Sequence, residues 1–426
     1  MKVLVVGSGG REHAIIMKLA ESPRVTKLYC APGNGGIAKY ADCYPVSATD
    51  LDGMLALAKE LAVDWVFVAP DDPLVMGMAD LLRENGFKVF GPSKAAAIIE
   101  GSKVFSKNLM KQYGIPTAGY EVFTDADSAI AYLKEQNSYP TVIKADGLAL
   151  GKGVIIAQDE NDAIAAVKAM MEDKIFGESG SQLVIEEFLT GPEISVLAFT
   201  DGKTVAPMIS SMDHKRALDG DQGKNTGGMG TVSPNPYYTE AIAEECMQKI
   251  FLPTIHAMNA EGRSFRGCLY FGLMATPKGV KVIEYNCRFG DPETQVVLPM
   301  LETDLLDIME AVEAQTLNTL PMYWKTGACA CVIMASGGYP ASYEKHKAIM
   351  GLQENGQHSN ALVYHAGTLL EDGVFYTNGG RVLGVTCGAD SLETALQRAY
   401  AAVAEISFEA AHWRTDIGRR ALEADR

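Results

Sequence analysis

The chain has 426 residues, 47% hydrophobic and 21% charged, with a net charge of −16. At about 150 residues per domain that is length enough for roughly three cores. So acidic a balance speaks against a nucleic-acid surface, which needs clustered Lys and Arg to neutralise phosphate, but it leaves room for a local basic pocket that takes small anions. Apolar runs are strand-sized, well short of the ~20 residues of a membrane helix. The N-terminal Met1–Val6 reaches glycine too soon for a signal peptide, so no membrane attachment and a cytoplasmic location are expected. Eight cysteines are scattered without a CxxC or Cys/His cluster, which fits free thiols in a reducing compartment and gives no sign of zinc.

Up to residue 102 short apolar strands alternate with amphipathic helices. Lys2–Val6, Lys27–Cys30, Asp64–Val68 and Phe87–Phe90 read as strands, and Arg11–Ala20, Leu51–Leu61 and Leu74–Asn85 as helices, the rhythm of a parallel α/β sheet. A helix at Ser102–Gln112 follows. Strands at Tyr139–Ala145 and Val154–Ala157 flank a glycine-rich segment, and helix Glu160–Met171 and strand Gln182–Glu187 complete a small α+β unit. Strands near Ser195–Thr200, Cys268–Ala275 and Gly279–Asn286 come next, with helices at Thr239–Asn259 and Asp304–Ala314. After Trp324 the chain is mostly strand (Ala328–Ser336, Leu362–Leu369, Arg381–Thr386) and closes with helix Ser391–Ile406.

The first motif, Gly7-Ser-Gly-Gly-Arg-Glu-His13, lacks the third glycine of a dinucleotide fingerprint, because Glu12 stands there. No acid closes the second strand to hold a ribose. The turn can still hold phosphate on a helix N-terminus, or be only a tight turn. The second, Lys144-Ala-Asp-Gly-Leu-Ala-Leu-Gly-Lys-Gly153, is one residue short of a P-loop, and Gly153 replaces the Ser or Thr. The β-branched residues after it make it a strand–loop–strand flap, able to close over a polyphosphate while Lys144 neutralises charge. Val184–Glu193 is an apolar strand running into a Gly-Pro turn, which could present backbone groups to an adenine edge or be a plain surface turn. Glu284, Asn286 and Arg288 share one face of a strand, since side chains alternate. A carboxylate, an amide and a guanidinium side by side suit Mg²⁺ and an anion. Asp213-His-Lys-Arg216 with the loop Asn225–Gly230 could be functional or merely solvated. Thr377-Asn-Gly-Gly-Arg381 reads as a hairpin turn by its Asn-Gly signal, ending in an anion-binding Arg.

Together these segments resemble the phosphoribosylamine–glycine ligase (glycinamide ribonucleotide synthetase) family of the ATP-grasp superfamily. Pro32-Gly-Asn-Gly-Gly36, Glu100-Gly-Ser-Lys103 and Asn286-Cys-Arg-Phe-Gly-Asp-Pro-Glu-Thr294 complete the series, which runs over essentially the whole chain. The resemblance implies an α/β and α+β multidomain protein: a parallel α/β domain (1–102), an ATP-grasp domain (103–324) with a mobile lid at about 120–188, and a mostly β C-terminal domain (325–426). It implies a carbon–nitrogen ligase of purine biosynthesis using ATP with Mg²⁺ or Mn²⁺, acting on small molecules and needing no obligate protein partner. By position, Lys103, Lys144, Gly151, Lys152 and Gly153 would hold ATP, with Glu186, Glu187, Phe188 and Leu189 at the adenine edge and Glu193 at the ribose. Glu284 and Asn286 would hold the metal. Arg288, Lys144, Asp291 and Asp213 would carry the chemistry, with Asn225, Thr226 and Gly227 beside the glycine. Gly9, Gly10, Asn34, Gly35 and Arg381 would hold the phosphoribosylamine.

Two departures stand out. Where the family usually has Gly-Pro-Glu-x-Pro-Leu, this chain has Ala69-Pro-Asp71-Asp72-Pro-Leu, an acid one methylene shorter. Ser264–Ile283 contains no Asp or Glu, so no acidic metal ligand precedes Glu284, and phosphate oxygens and water must complete the metal shell. The alternatives are another ATP-grasp carboxylate–amine ligase or, from the first glycine turn, a nicotinamide oxidoreductase.

Overall fold

The computed structural model describes residues 1–148 and 153–424. Five strands of the first hundred residues form a wholly parallel sheet in the order Asp42–Cys43, Lys27–Pro32, Lys2–Gly7, Trp65–Val68, Lys88–Phe90. Val3–Val6 and Trp65–Val68 are apolar and buried at every position, as strands covered on both faces require. The direction of sheet growth reverses at Lys2–Gly7, and at such a point a crevice opens at the carboxyl ends of the strands. Gly7–Gly10 and Ala69–Asp71 both leave the sheet at that end.

The single helix expected at Leu74–Asn85 is two, Asp71–Met76 and Met78–Glu84. Gly77 between them has φ of +102°, a left-handed conformation that glycine adopts without strain. The helix Lys103–Gln112 is preceded by another, Lys94–Gly101. Ser102 accepts the Phe105 N–H and caps the second helix.

The region expected to be the lid holds a four-stranded antiparallel sheet, ordered Tyr120–Phe123, Leu183–Glu187, Thr141–Ala145, Val154–Ala157. Helices Ala126–Gln136 and Glu160–Met171 cover it with a small core of its own around Ile143, Leu133 and Met170. Thr141–Ala145 and Val154–Ala157 pair across the glycine-rich segment, the strand–loop–strand form its sequence predicts. A second antiparallel sheet, ordered Val205–Pro207, Glu193–Asp201, Arg266–Thr276, Gly279–Asn286, forms the other wall. The expected helix Thr239–Asn259 is α-helical at Glu240–Cys246 and Leu252–Ala260 around a π-turn at Met247–Phe251.

The C-terminal sheet is ordered Met212–Asp213, Gly230–Ser233, Ala328–Ala335, Arg381–Ala389, Leu362–His365. Its first two strands come from before residue 325, so Asp213 and the Asn225–Gly230 loop hang from the C-terminal sheet. Thr377–Arg381 is not a hairpin turn. Val374–Thr377 pairs with Thr368–Glu371, whereas Arg381–Ala389 belongs to the larger sheet, so the segment passes between sheets. It crosses Gly367 so closely that a Cβ on Gly379 would lie 2.8 Å from the Gly367 Cα, and the glycines serve that crossing instead of a turn. Among the described residues no helix is long and apolar enough to cross a membrane.

Candidate active site

Where lid, second sheet and C-terminal sheet meet, a cleft of about 610 Å³ opens. Lining it are Lys144, Glu186, Glu187, Phe188, Leu189, Glu193, Asp213, Asn225, Thr226, Gly227, Glu284, Asn286, Arg288 and Asp291, which sequence reasoning had placed at one site from five separate segments. Glu284 and Asn286, alternating on the strand Gly279–Asn286, turn into this cleft, and Arg288, two residues beyond the strand's end, lines it as well. A bulge opposite Gly272 adds Ile283 to the same wall.

At the lid end the Glu186 carboxylate lies 3.0 Å from Lys144 Nζ and 3.1 Å from Lys107 Nζ, all three side chains being buried. Lys144 also donates to the Ile283 carbonyl, 3.1 Å away. The second oxygen of Glu186, Oε1, is buried with no partner among the described residues, an acceptor that a ligand donor could satisfy. Burial brings the Lys107 ammonium down to about 8, although Glu186 works against it. Lys107 was missed in the sequence; its signal was a lysine one helical turn after Lys103 on the same face. Lys103 donates to the Gly147 carbonyl, and Ser102 and Val104 hold Asp146, which ties the start of the flap to this helix. Gly153 accepts from the Ala145 N–H at the flap's far side. Gly151 and Lys152 lie outside the described residues.

On the second sheet Lys215 Nζ sits 3.4 Å from Glu284 and 3.5 Å from Glu193. The charge of Lys215 is the main reason Glu284 is brought down to about 2, with Lys144, Lys103 and Arg288 adding to it. Such a carboxylate beside the Asn286 amide gives hard oxygen donors for a divalent cation. No group of three or more His, Cys, Asp or Glu able to hold a metal exists among the described residues. The pair therefore fits an ion that keeps water and phosphate oxygens in its shell, as Mg²⁺ does, and not a closed protein cage.

Deeper in, Ser195 Oγ and Tyr270 Oη are 2.9 Å apart, and Ser195 donates to Glu293 at 3.4 Å. Burial pushes both Asp213 and Glu293 up, Glu293 adding to the shift of Asp213. Asp291 is held by Arg381 at 3.2 Å and by Gln295 Nε2 at 2.7 Å. Arg381 donates to the Gly227 carbonyl at 2.6 Å and to that of Asp291 at 2.8 Å, so it fastens the Asn225–Gly230 loop onto the Asp291 turn.

Arg288 points toward the N-terminal domain. Its guanidinium is 2.9 Å from Glu100 and 3.5 Å from Asp71, and Glu100 also accepts the Cys287 N–H at 2.7 Å. Desolvation pushes Glu100 up to about 7, while Arg288 pulls the other way. Against the upward push of burial, Arg288 and Arg11 keep Asp71 below the usual carboxylate range. Even one methylene shorter, Asp71 reaches the arginine.

The five phosphoribosylamine candidates divide. Gly9 and Gly10 abut Asp291 and Gln295, where added Cβ atoms would come within 3.2 Å and 2.6 Å of those side chains, and Arg381 closes the same corner. The Gly9 N–H donates to Glu12 at 2.6 Å, so part of the helix N-terminus is satisfied from within. Asn34 and Gly35 instead line a second cavity of about 340 Å³ with Ser8, Gly367 and Asn378. The Asn34 amide donates to the carbonyls of Ser8 (2.8 Å) and His365 (2.7 Å), and its oxygen accepts from Gly36 and Ile37. It works as a strut between the first and last sheets.

Three family descriptions match the chain: Phosphoribosylglycinamide synthetase, N domain, at residues 1–100; its ATP-grasp (A) domain at 101–294; and its C domain at 329–420. A phosphoribosylamine–glycine ligase of Caldanaerobacter subterraneus is 47% identical over 417 residues, 98% of this chain and 99% of the relative. The crystal structure of the phosphoribosylamine–glycine ligase of Thermotoga maritima superposes with a TM-score of 0.86 at 32% identity, covering 98% of this chain and 100% of that one. The biotin carboxylase domain of Hydrogenobacter thermophilus 2-oxoglutarate carboxylase, solved with MgADP and bicarbonate, shares the fold at a TM-score of 0.72 and 16% identity, over 96% of this chain and 91% of the other.

Proposed function

Since the chain belongs to the phosphoribosylglycinamide synthetase family, we propose that its cleft activates glycine as glycyl phosphate and passes the acyl group to phosphoribosylamine, with the residue roles given below. The reaction is the ATP-dependent ligation of glycine to 5-phospho-D-ribosylamine in purine biosynthesis. One observation carries the assignment of roles: a single cleft collects Lys144, the Glu284/Asn286 face and the Asp213–Asp291 corner.

A carboxylate does not acylate an amine in water because its carbonyl is a poor electrophile. Phosphoryl transfer from ATP supplies the leaving group, and the protein positions the reactants and neutralises charge. Lys103, Lys107 and Lys144 meet the triphosphate. Glu186 Oε1 and the backbone of Glu187–Leu189 take the donors and acceptors of the adenine edge. Glu193 reaches the ribose once Lys215 turns to the phosphates. Glu284 and Asn286 hold Mg²⁺ or Mn²⁺, whose chemistry when bound is to screen the phosphate oxygens. Arg288, anchored by Glu100 and Asp71, faces the transferring phosphoryl group. Asp213, Asp291 and Glu293 receive the ammonium of glycine, and the amine enters from the crevice beside Gly9, Gly10 and Arg381. Asn34 and Gly35 shape that crevice.

The test follows the oxygen atoms. Glycine labelled in both carboxylate oxygens should deliver one labelled atom to inorganic phosphate per turnover and keep the other in the amide. Label in AMP would mean adenylation, and unlabelled phosphate would mean hydrolysis without activation; either result refutes the glycyl phosphate.

A further inference from the structure

A buried arginine outside the cleft lining has no part in the chemistry above. Arg414 is only 2% exposed. Its Nε and Nη2 grip Asp416 at 2.7 and 2.9 Å, while Nη1 donates to Asp221 at 2.9 Å and to the Arg216 carbonyl at 3.2 Å. Asp416 in turn accepts the Gly220 N–H at 2.8 Å. The neighbours do the same work. Thr415 holds Asp219 through its N–H and its hydroxyl, and His412 Nε2 is 2.8 Å from the Ala217 carbonyl. The two Arg414–Asp416 bonds brace the segment itself, and all the others tie His412–Asp416 to residues 216–221.

Those residues begin a two-stranded hairpin, Arg216–Leu218 with Gln222–Asn225. Gln222–Asn225 is exposed throughout, and Leu218 is 49% exposed, so apolar burial hardly fixes it. An isolated hairpin of this size is marginal in water. Yet its two ends carry site groups: Lys215 between Glu193 and Glu284 on one side, and Asn225, Thr226 and Gly227 on the other. Arg216, Asp221 and Arg420 line the cleft as well. The hairpin is therefore a wall of the reaction chamber that is held in place from outside, and Arg414 sits at the centre of the hold.

We propose that Arg414 is a positioning residue, which locks the hairpin Arg216–Asn225 against the cleft so that the acyl phosphate meets the amine and not water. The proposal rests on the glycyl phosphate reading above. Water attacking the intermediate breaks its acyl–phosphate link, returning glycine and inorganic phosphate after ADP has formed. Amine attack breaks the same link and leaves the amide with inorganic phosphate. Loosening the wall therefore shows as ADP released in excess of amide formed.

The experiment measures ADP and amide product together in the full-length enzyme with all substrates saturating, for Arg414→Met, Arg414→Lys and Asp221→Asn. The ratio of ADP to amide should rise at least about threefold in Arg414→Met, less in Asp221→Asn, and recover partly in Arg414→Lys, and the excess ADP should require glycine. An unchanged ratio, whatever happens to kcat or to the melting temperature, overturns the proposal, because a purely structural role lowers active enzyme without altering partition. Should Arg414→Met not fold, Asp221→Asn decides, since it keeps side-chain shape and its site is half-exposed. Excess ADP that forms without glycine also overturns it, because the wall would then shield ATP itself. Failure of the oxygen-label test is separate: it removes the intermediate in the wild type, before any variant is made.

Discussion

The turn Gly7–Gly10 and the segment opening at Gly147 share their ingredients, an apolar strand running into several glycines, yet their polar groups are used differently. At the first, a carboxylate three residues on returns to the turn: Glu12 accepts the Gly9 N–H at 2.6 Å and Arg11 Nε at 2.7 Å. The donors that a phosphate would need are partly taken, and Asp291 stands close by. At the second, the chain leads into a β-strand instead of a helix, Asp146 is occupied by Ser102 and Val104, and the other nearby charges are the lysines 103, 107 and 144, with Glu186 shared between two of them. Glycine alone thus says that backbone passes closely. The charge that follows within a turn or faces it from the next element says whether an anion can stay.

Removing Glu12 beside the first turn and Glu284, which faces Lys144 and Lys103 of the second region, should give opposite signatures, and this is the largest expected effect. Glu284→Ala should lower kcat by about a thousandfold, because it removes the one strongly acidic partner for the metal. It should change the melting temperature little: Glu284 and Lys215 are 37% and 35% exposed, and water screens such a pair. Glu12→Ala should do the reverse. It leaves a helix-start N–H and the Nε of a largely buried arginine without their acceptor, a loss of about 2–3 kcal/mol in unfolding free energy, with kcat reduced far less. Turnover and thermal unfolding of both variants check it. A Glu12→Ala enzyme as stable as the wild type would show that the turn is not held from within.

A smaller effect sharpens the lysine side. Lys107 is brought down to about 8 by burial, so its ammonium is complete below that pH and is lost above it. We expect kcat/KM for ATP to fall as pH rises through about 8, and Lys107→Arg to flatten that limb, since a guanidinium keeps its proton. Lys107→Met should cost about tenfold in kcat/KM for ATP at neutral pH. A profile level from pH 7 to 9 in the wild type would remove Lys107 from the nucleotide site.

Local rules made much of this molecule readable. The parallel sheet followed from all-apolar strands, and the face shared by Glu284, Asn286 and Arg288 followed from the two-residue period of a strand. What the sequence concealed depends on which strands meet. Asn378-Gly379 carries a hairpin signature, but its flanking strands find partners in different sheets, and no local pattern records that. Asp213 reads as part of a central region although its strand joins the C-terminal sheet, through pairing with Gly230–Ser233. Glu100 stood in view as a motif residue, but its role comes from a contact 188 positions away with Arg288, across the boundary between the first domain and the second. Lys215 was passed over between Asp213 and Arg216 because a run of charges looks the same whether it faces water or a carboxylate pair.

The smallest effect concerns that Glu100 contact, which joins the helix Lys94–Gly101 to the turn after the strand Gly279–Asn286. Glu100 is 7% exposed in its side chain and holds Arg288 from the N-terminal side. Desolvation lifts it to about 7. Below that pH it is protonated and neutral, and Arg288 loses its shorter anchor, keeping Asp71 at 3.5 Å. Activity should therefore fall a few-fold as pH drops through about 7. Glu100→Gln, neutral at every pH, should sit on the lower plateau and lose that limb while retaining a hydrogen bond to the Cys287 N–H. The folded state keeps the Glu100 proton up to about 7, whereas the unfolded chain releases it near the usual glutamate value of about 4.3. Between those values the native state binds more protons, so this group makes stability decline as pH rises, and it contributes no further slope above 7. Glu100→Gln should remove that part of the slope. Urea unfolding at pH 5, 6, 7 and 8, beside the pH dependence of kcat, measures both. If the variant keeps the wild-type activity limb, Glu100 does not set the charge state that holds Arg288. If the limb vanishes but the stability slope stays, another buried acid, Asp213 or Glu293, carries the proton that is lost on unfolding.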